Sequence, residues 1–303
     1  MSDSKNPEQT SERSRLAEQV SALASSETVQ TMFDVGQQVQ AEANDVVRST
    51  LAVEHGLCTA LVGSIAWFAD ALYLNRSEQR FFPPDWLDPT CSANPDFAMA
   101  CVLCQLANYG HSVIELVSKG LDTPSRALLR ATSDLSYMVV ALSVDRETFR
   151  SFFLDDISSP KEHWYKLFSN KKLAQRVARS DQSFGLPQEW TQYMQEFRDA
   201  TGEFFSEAVH HSRDSILIGS QPTVPGTDRV AFALLGGPPS GSKHTLTHLA
   251  TVLNYGLTTF IASSSRRPEY FPRFAHQEYW DAGLAIHKEI QPLFLQMLAQ
   301  QEN

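Results

Sequence analysis

Apolar side chains recur at three- and four-residue spacing along most of the chain, and the clearest run covers residues 121–144. Leu128, Thr132, Leu135, Val139 and Leu142 make one continuous stripe there, with Arg126, Arg130, Asp134 and Tyr137 on the opposite face. Thr123 can cap this helix, Pro124 sits where a missing N–H costs nothing, and Gly120 breaks the chain before it. The same period predicts helices over 97–118, 146–154, 163–179, 187–212, 243–262 and 276–298. A further helical stretch covers 29–74, in one piece or with a break near Gly56. Between them, residues 75–95 carry Pro83, Pro84, Pro89 and Pro95, which predict an extended connector pinned to the core by Trp86 and Leu87.

Two stretches lack that period. Residues 1–26 are mostly polar and predict a disordered tail, with a frayed helix over 16–23. Residues 215–241 hold two short apolar runs, 216–218 and 230–235, bracketed by Gly and Pro, which predict a β-hairpin or an irregular lid. The expected architecture is therefore all-α: a multi-helix bundle forming a single domain over 27–303, with one hairpin or lid insertion at about 215–241. Strand signals are too few for an alternating βαβ fold.

Composition narrows the class of function. The 303 residues carry a formal net charge of −10, so the total field opposes nonspecific binding to nucleic-acid phosphates and disfavours RNA as a partner. The most apolar run, 56–69, is too short to cross a bilayer and ends at Asp70, which predicts a buried helix and no membrane association. The first residues hold no apolar signal-peptide core. Four cysteines in a chain of this length are no disulfide framework, so the expected location is a reducing cytoplasm.

Several constellations could carry chemistry. Cys101 and Cys104 make C-x2-C in an apolar helical segment, and zinc would need His244 and His248, four apart on a later helix, as further ligands. Packing of both thiols as small hydrophobes is the favoured expectation, with no metal and no cofactor. Residues 236–244, GGPPSGSKH, place glycines before a helix start, but two prolines remove N–H groups that a phosphate nest requires. Arg48 and His55 stand seven residues apart, which on one helix puts them on one face. The remaining constellation spans two helices. On the 187–212 helix, Trp190, Met194, Phe197, Phe204 and Ala208 mark the buried side, while Asp199, Glu203, Ser206 and His210 mark the other. If that polar face meets the one on 121–144, Arg130, Ser206 and His210 make a polar cluster, the candidate catalytic or binding residues of the chain.

The segments ALLRATSDLSYMVVALSVD, residues 127–145, and FFSEAVHHS, residues 204–212, resemble the two motif helices of a prokaryotic family of uncharacterised helical proteins. That family pairs an LLR helix, with an acidic residue four places on, with an S-x-x-x-H helix. The resemblance marks Arg130, Ser206 and His210, and Asp134 stands where the family usually carries Glu. It covers about residues 97–262 and leaves the N-terminal helices unmatched. The family is similar in architecture to HEPN-type helical domains of phage-defence systems, whose arginine–histidine spacing Arg48 and His55 also satisfy. The resemblance implies a bacterial setting in phage defence or stress response and no established reaction. Three functions stay open: a helical domain acting through a homo-oligomer or protein partner, a metal-independent HEPN-like ribonuclease, and a bundle that binds a small ligand.

Overall fold

A computed structural model describes residues 7–75, 81–82, 86, 94–154, 159–185, 188–210, 212–222, 224, 229–230, 233–238, 241–265, 274 and 276–300. Helices α1 (Pro7–Ala24), α2 (Glu27–Thr50), α3 (Ala52–Tyr73) and α4 (Pro95–Ser118) come first. Helices α5 (Asp122–Val144), α6 (Arg146–Leu154), α7 (Pro160–Phe168), α8 (Asn170–Ser183) and α9 (Gln188–Val209) follow. Then come α10 (Arg213–Ser220), α11 (Ser242–Ser265) and α12 (Gln277–Ala299).

The all-α bundle is as the periodicity predicts; the hairpin is not. The apolar run 216–218 lies inside α10, and among the described residues no extended strand forms, only a single bridge position at Val230. Of the second run, Ala231 and Phe232 lie outside the described residues. The N-terminal segment expected to be a disordered tail is helical from Pro7, and Leu16, Val20 and Leu23 on it are exposed. The 29–74 stretch breaks at Leu51 and not near Gly56, and 163–179 divides at Ser169 into α7 and α8.

Four helices make the centre. α3 packs on α4, α4 on α5, α5 on α11, and α11 back on α3, while α12 covers α3 and the pair α8 and α9 covers the outer side of α5. This arrangement explains why α5 departs from the amphipathic reading. It has neighbours on both sides, so every residue from Ser136 to Ser143 is buried, as are Ser133 and Arg126. Thr123 gives no side-chain cap, because the helix begins two residues earlier than a Thr123 cap requires, at Asp122 with Leu121 in the cap position. Small side chains let α5 and α11 approach closely. Ser136 Oγ donates to the Val252 carbonyl at 2.5 Å, and a Cβ on Gly256 would collide with that same Oγ.

The connector is held as its aromatics suggest. Phe81 and Phe82 are fully buried and Trp86 is nearly so; Pro83, Pro84, Leu87 and Pro89 lie outside the described residues. Buried Asp96, near the start of α4, accepts from Asn75 Nδ2 at 2.8 Å and from the backbone N–H groups of Phe81 and Phe82 at 2.8 and 3.1 Å. The Phe81 ring stacks on Phe260 of α11 at 4.6 Å, and Phe68 of α3 meets Trp280 of α12 edge-on at the same separation. Connector, α3, α11 and α12 thus share one aromatic cluster.

α3 is longer than its most apolar run. Together with α4 and α5 it is long and apolar enough to cross a membrane by length and composition, and half or more of each apolar window is buried inside the bundle.

Candidate functional site

The stagger of side chains along α9 builds the site. Met194, Phe205 and Ala208 are buried, and Phe197 and Phe205 close on the ring of His248 from α11 at centroid distances of 4.9 and 4.6 Å. The side chains of Trp190 and Phe204 lie outside the described residues. One position on from Phe197 the helix has turned by about 100°, which aims Arg198 at α5 and α8. Arg198, Gly202 and Ser206 then repeat at four-residue spacing and line a cleft with Arg130, Asp134 and Tyr137 of α5 and an apolar wall of Leu173, Ala174 and Val177 from α8. Asp199 and Glu203 complete it, and its volume is about 260 Å³.

Arg198 forms the floor, with a side chain only 4% exposed. Its guanidinium carbon lies 5.9 Å from the centre of the Tyr137 ring, and Nη1 is 3.6 Å from Asp181 Oδ2. That pair is an electrostatic contact beyond hydrogen-bond distance. Among the described residues none of the three guanidinium nitrogens of Arg198 has a hydrogen-bond partner, and neither has Asp181 Oδ2. Asp181 Oδ1 accepts from Tyr255 OH at 2.5 Å, so the carboxylate is oriented from behind by α11. Burial pushes the Asp181 carboxyl above its ordinary range, and the Tyr255 hydroxyl and Arg198 oppose this. Burial also holds the phenols of Tyr137 and Tyr255 well above the usual tyrosine range, so both remain neutral donors.

Nearer the mouth, Arg130 pairs with Asp134 at 3.4 Å, each side chain about a quarter exposed. Burial raises the Asp134 carboxyl, opposed by the charge and hydrogen bond of Arg130. A Cβ on Gly202 would lie 2.7 Å from Arg130 Nη1, so the missing side chain is what lets the guanidinium lie against α9.

Of the residues singled out in the sequence, Arg130 and Ser206 come together in this cleft, and Asp134, Tyr137, Asp199 and Glu203 join them. His210 does not. It is exposed on the turn that ends α9, one turn beyond Ser206, and it does not line the cleft. Arg48 and His55 fall on either side of the break at Leu51, on α2 and α3. Arg48 Nε donates to Asn44 Oδ1 at 3.1 Å, and the His55 imidazole is lowered by burial first and by the Arg48 charge second, with Glu115 opposing.

Cys101 and Cys104 are exposed on α4 and not packed as small hydrophobes. His248 is buried on the far side, and among the described residues no three His, Cys, Asp or Glu side chains are grouped as a metal site would require. At the glycine-rich start of α11, Asp122 fills the position an external anion would take: a Cβ on Gly241 would collide with its Oδ2. That carboxylate binds Arg126 Nη2 at 2.9 Å, and both side chains are only 6% exposed. A larger hollow of about 990 Å³ between α3 and α12 is lined by Val53, Leu57, Leu284 and Leu293, with Lys288 and Glu289 at its edge, and offers no buried polar anchor.

His248 gives the bundle a pH signature. Burial, and next the charge of His244, lower its imidazole from 6.5 to about 3. Between those values the unfolded chain carries a proton on this ring that the folded chain does not, so stability rises with pH across the window and falls on acidification. The slope reaches at most about 1.4 kcal/mol per pH unit. Raised carboxyls at Asp122, Asp134 and Asp181 act in the opposite sense, and the lowered His244 and His287 in the same sense. The His248 part is therefore isolated as the difference between the wild type and His248→Gln in urea unfolding, which should shrink steadily as pH falls from 6.5.

No protein-family model matches the chain, and neither the curated proteins nor the solved structures contain a match.

Proposed function

We propose that the cleft between α5, α8 and α9 binds the anionic group of a small polar ligand, and that the protein is a ligand-binding helical bundle. The buried guanidinium of Arg198 carries this reading. A charge out of water is stable only when paired and hydrogen-bonded, and the one pairing of Arg198, with Asp181, is long at 3.6 Å, at the limit of a hydrogen bond. The guanidinium nitrogens are themselves sealed from solvent, so the planar fork, which suits a carboxylate or a phosphate, becomes available to a ligand only when the cleft opens around it. The hydroxyls of Tyr137 and Ser206, from the lining residues, add neutral donors.

The ribonuclease reading is less well supported at this cleft. No histidine is among its lining residues, and general acid–base transfer near neutral pH calls for one. The family resemblance supports the location, since its motif positions Arg130 and Ser206 both line the cleft.

Filling the cleft tests the proposal. In Gly202→Phe the new ring enters the space taken by the Arg130 guanidinium, a flexible group that can move aside, so the fold should survive. Thermal melts of the wild type in millimolar acetate, sulfate and inorganic phosphate should show a saturable rise in Tm for at least one anion, and Gly202→Phe should show none. Equal shifts in both proteins would place anion binding elsewhere.

A further inference from the structure

We infer that the outward face of α3 and α4 is the interface of a two-fold dimer, its partner a second copy of this chain. The inference is independent of the cleft, which α5, α8 and α9 line. In a chain whose residues are 20% charged, none of the exposed residues over 56–69 of α3 or 97–114 of α4 is Asp, Glu, Lys or Arg. The exposed side of α9, by contrast, carries Glu189, Glu196, Asp199, Glu203 and Glu207. Depletion of charge at the centre of a surface patch that displays aromatic rings is the compositional mark of a protein interface. Trp67, Tyr73 and Phe97 are the rings exposed here.

The two helices present one continuous face. The Tyr73 ring meets Phe97 at 5.8 Å, and a Cβ on Gly110 would lie 3.0 Å from Val62, so α3 and α4 run antiparallel, side by side. About 27 Å of each helix and a joint width of about 20 Å give a footprint of about 540 Å². Two copies would then bury about 1,100 Å², above the ~1,000 Å² that a specific interface needs.

Charge at the two ends of the face identifies the occupant. An uncharged face is its own complement, as an interface between identical patches requires. Its flanking charges are opposite in sign: Asp70 is exposed on α3 towards the Tyr73 end, and Arg48 is exposed where α2 leads into the other end. A two-fold axis through the middle of the face sets the copies head to tail, so the Asp70 of each lies towards the Arg48 of the other. Lipid suits the face less well, although both helices are apolar enough by composition to meet it. Thr59, Asn108 and His111 are exposed on it and would lose water there without gaining a partner.

Sedimentation velocity on the full chain at micromolar concentration should give twice the 33.9 kDa chain mass. Ala66→Glu with Cys104→Glu puts one acid on each helix of the face. Both positions are exposed, so the Tm should hardly move, while the dimer should weaken at least about a hundredfold. Asp70→Lys and Arg48→Glu should each weaken it about tenfold, and the two together should restore it. Cys104 lies near the middle of the face, so a short bismaleimide should couple wild-type chains in pairs, but not chains carrying Cys101→Ser with Cys104→Ser. A wild type that stays monomeric at high micromolar concentration overturns the inference, and binding of that monomer to phosphatidylcholine vesicles would assign the face to lipid. A dimer that persists in Ala66→Glu with Cys104→Glu overturns it by placing the contact elsewhere. Failure of the paired charge reversal to restore the dimer rejects the head-to-tail arrangement, and the inference with it.

Discussion

Replacing Arg126 with methionine should destabilise the protein by about 3–5 kcal/mol, the largest single effect expected from any polar side chain in the bundle. The pair it breaks, Arg126 Nη2 to Asp122 Oδ2 at 2.9 Å, is almost completely shielded from water at the start of α5. Methionine fills much of the volume of the arginine stem, so the loss is electrostatic. Asp122 would keep a buried charge with its main compensation removed, or take up a proton, which the upward push of burial on its carboxyl already favours. The pair also joins two parts of the chain, since Asp122 packs against Gly241 at the start of α11. Asp122→Asn with Arg126→Met removes both charges and should recover most of the loss. A double-mutant cycle in urea should give a coupling of about 2–3 kcal/mol. Additive single-mutant effects would mean that the two side chains do not act as a pair.

The second large effect has the opposite sign. Asp181→Asn with Arg198→Met should leave the protein at least as stable as the wild type, with a gain of about 1–4 kcal/mol. Both wild-type side chains are buried, their contact is 3.6 Å, and three guanidinium nitrogens and one carboxylate oxygen lack hydrogen bonds among the described residues. The amide introduced by Asp181→Asn would still offer Tyr255 an acceptor, and the thioether introduced by Arg198→Met would lie on the Tyr137 ring as the guanidinium does now. Arg198→Met alone should be destabilising, because Asp181 then stays buried beside Tyr255 with no cation. The contrast matters for function. A pair whose removal improves stability is kept for something other than the fold, whereas a loss of several kcal/mol in the double variant would make Arg198 a structural residue.

How much of this is readable in the sequence differs between fold and site. Helix periods give the bundle and most boundaries, because long amphipathic runs such as 97–118 and 276–298 carry their own signal. The period fails where a helix is buried on both sides: on α5, Arg126 and Tyr137 count as polar-face residues by spacing, yet α8, α9 and α11 cover them. It also fails for short apolar runs. Ile216–Ile218 suits a strand or a helix equally, and only the neighbouring elements decide. At the site, Arg130, Asp134 and Ser206 are legible because they lie on faces that do meet. His210 keeps the helical hydrogen bond to the Ser206 carbonyl at 2.9 Å but stands one turn beyond the cleft, exposed at the end of α9, and spacing alone does not show where the cleft stops. Arg198 escapes the spacing argument although a signal is present: Arg198, Gly202 and Ser206 repeat every four residues, and small residues in line with a cation leave room beside it. Its partners Asp181 and Tyr255 are joined only by tertiary packing, which no local pattern encodes.

The most direct test of the anion-binding cleft is the Nε–Hε resonance of Arg198 itself, identified by its loss in Arg198→Lys and followed while butyrate is added to the wild-type protein. The cleft account predicts a saturable downfield shift of that one arginine signal, absent in Gly202→Phe, since a new acceptor would meet donors that now have none among the described residues. An Arg198 signal that stays unmoved while butyrate or another carboxylate binds elsewhere on the protein would contradict it.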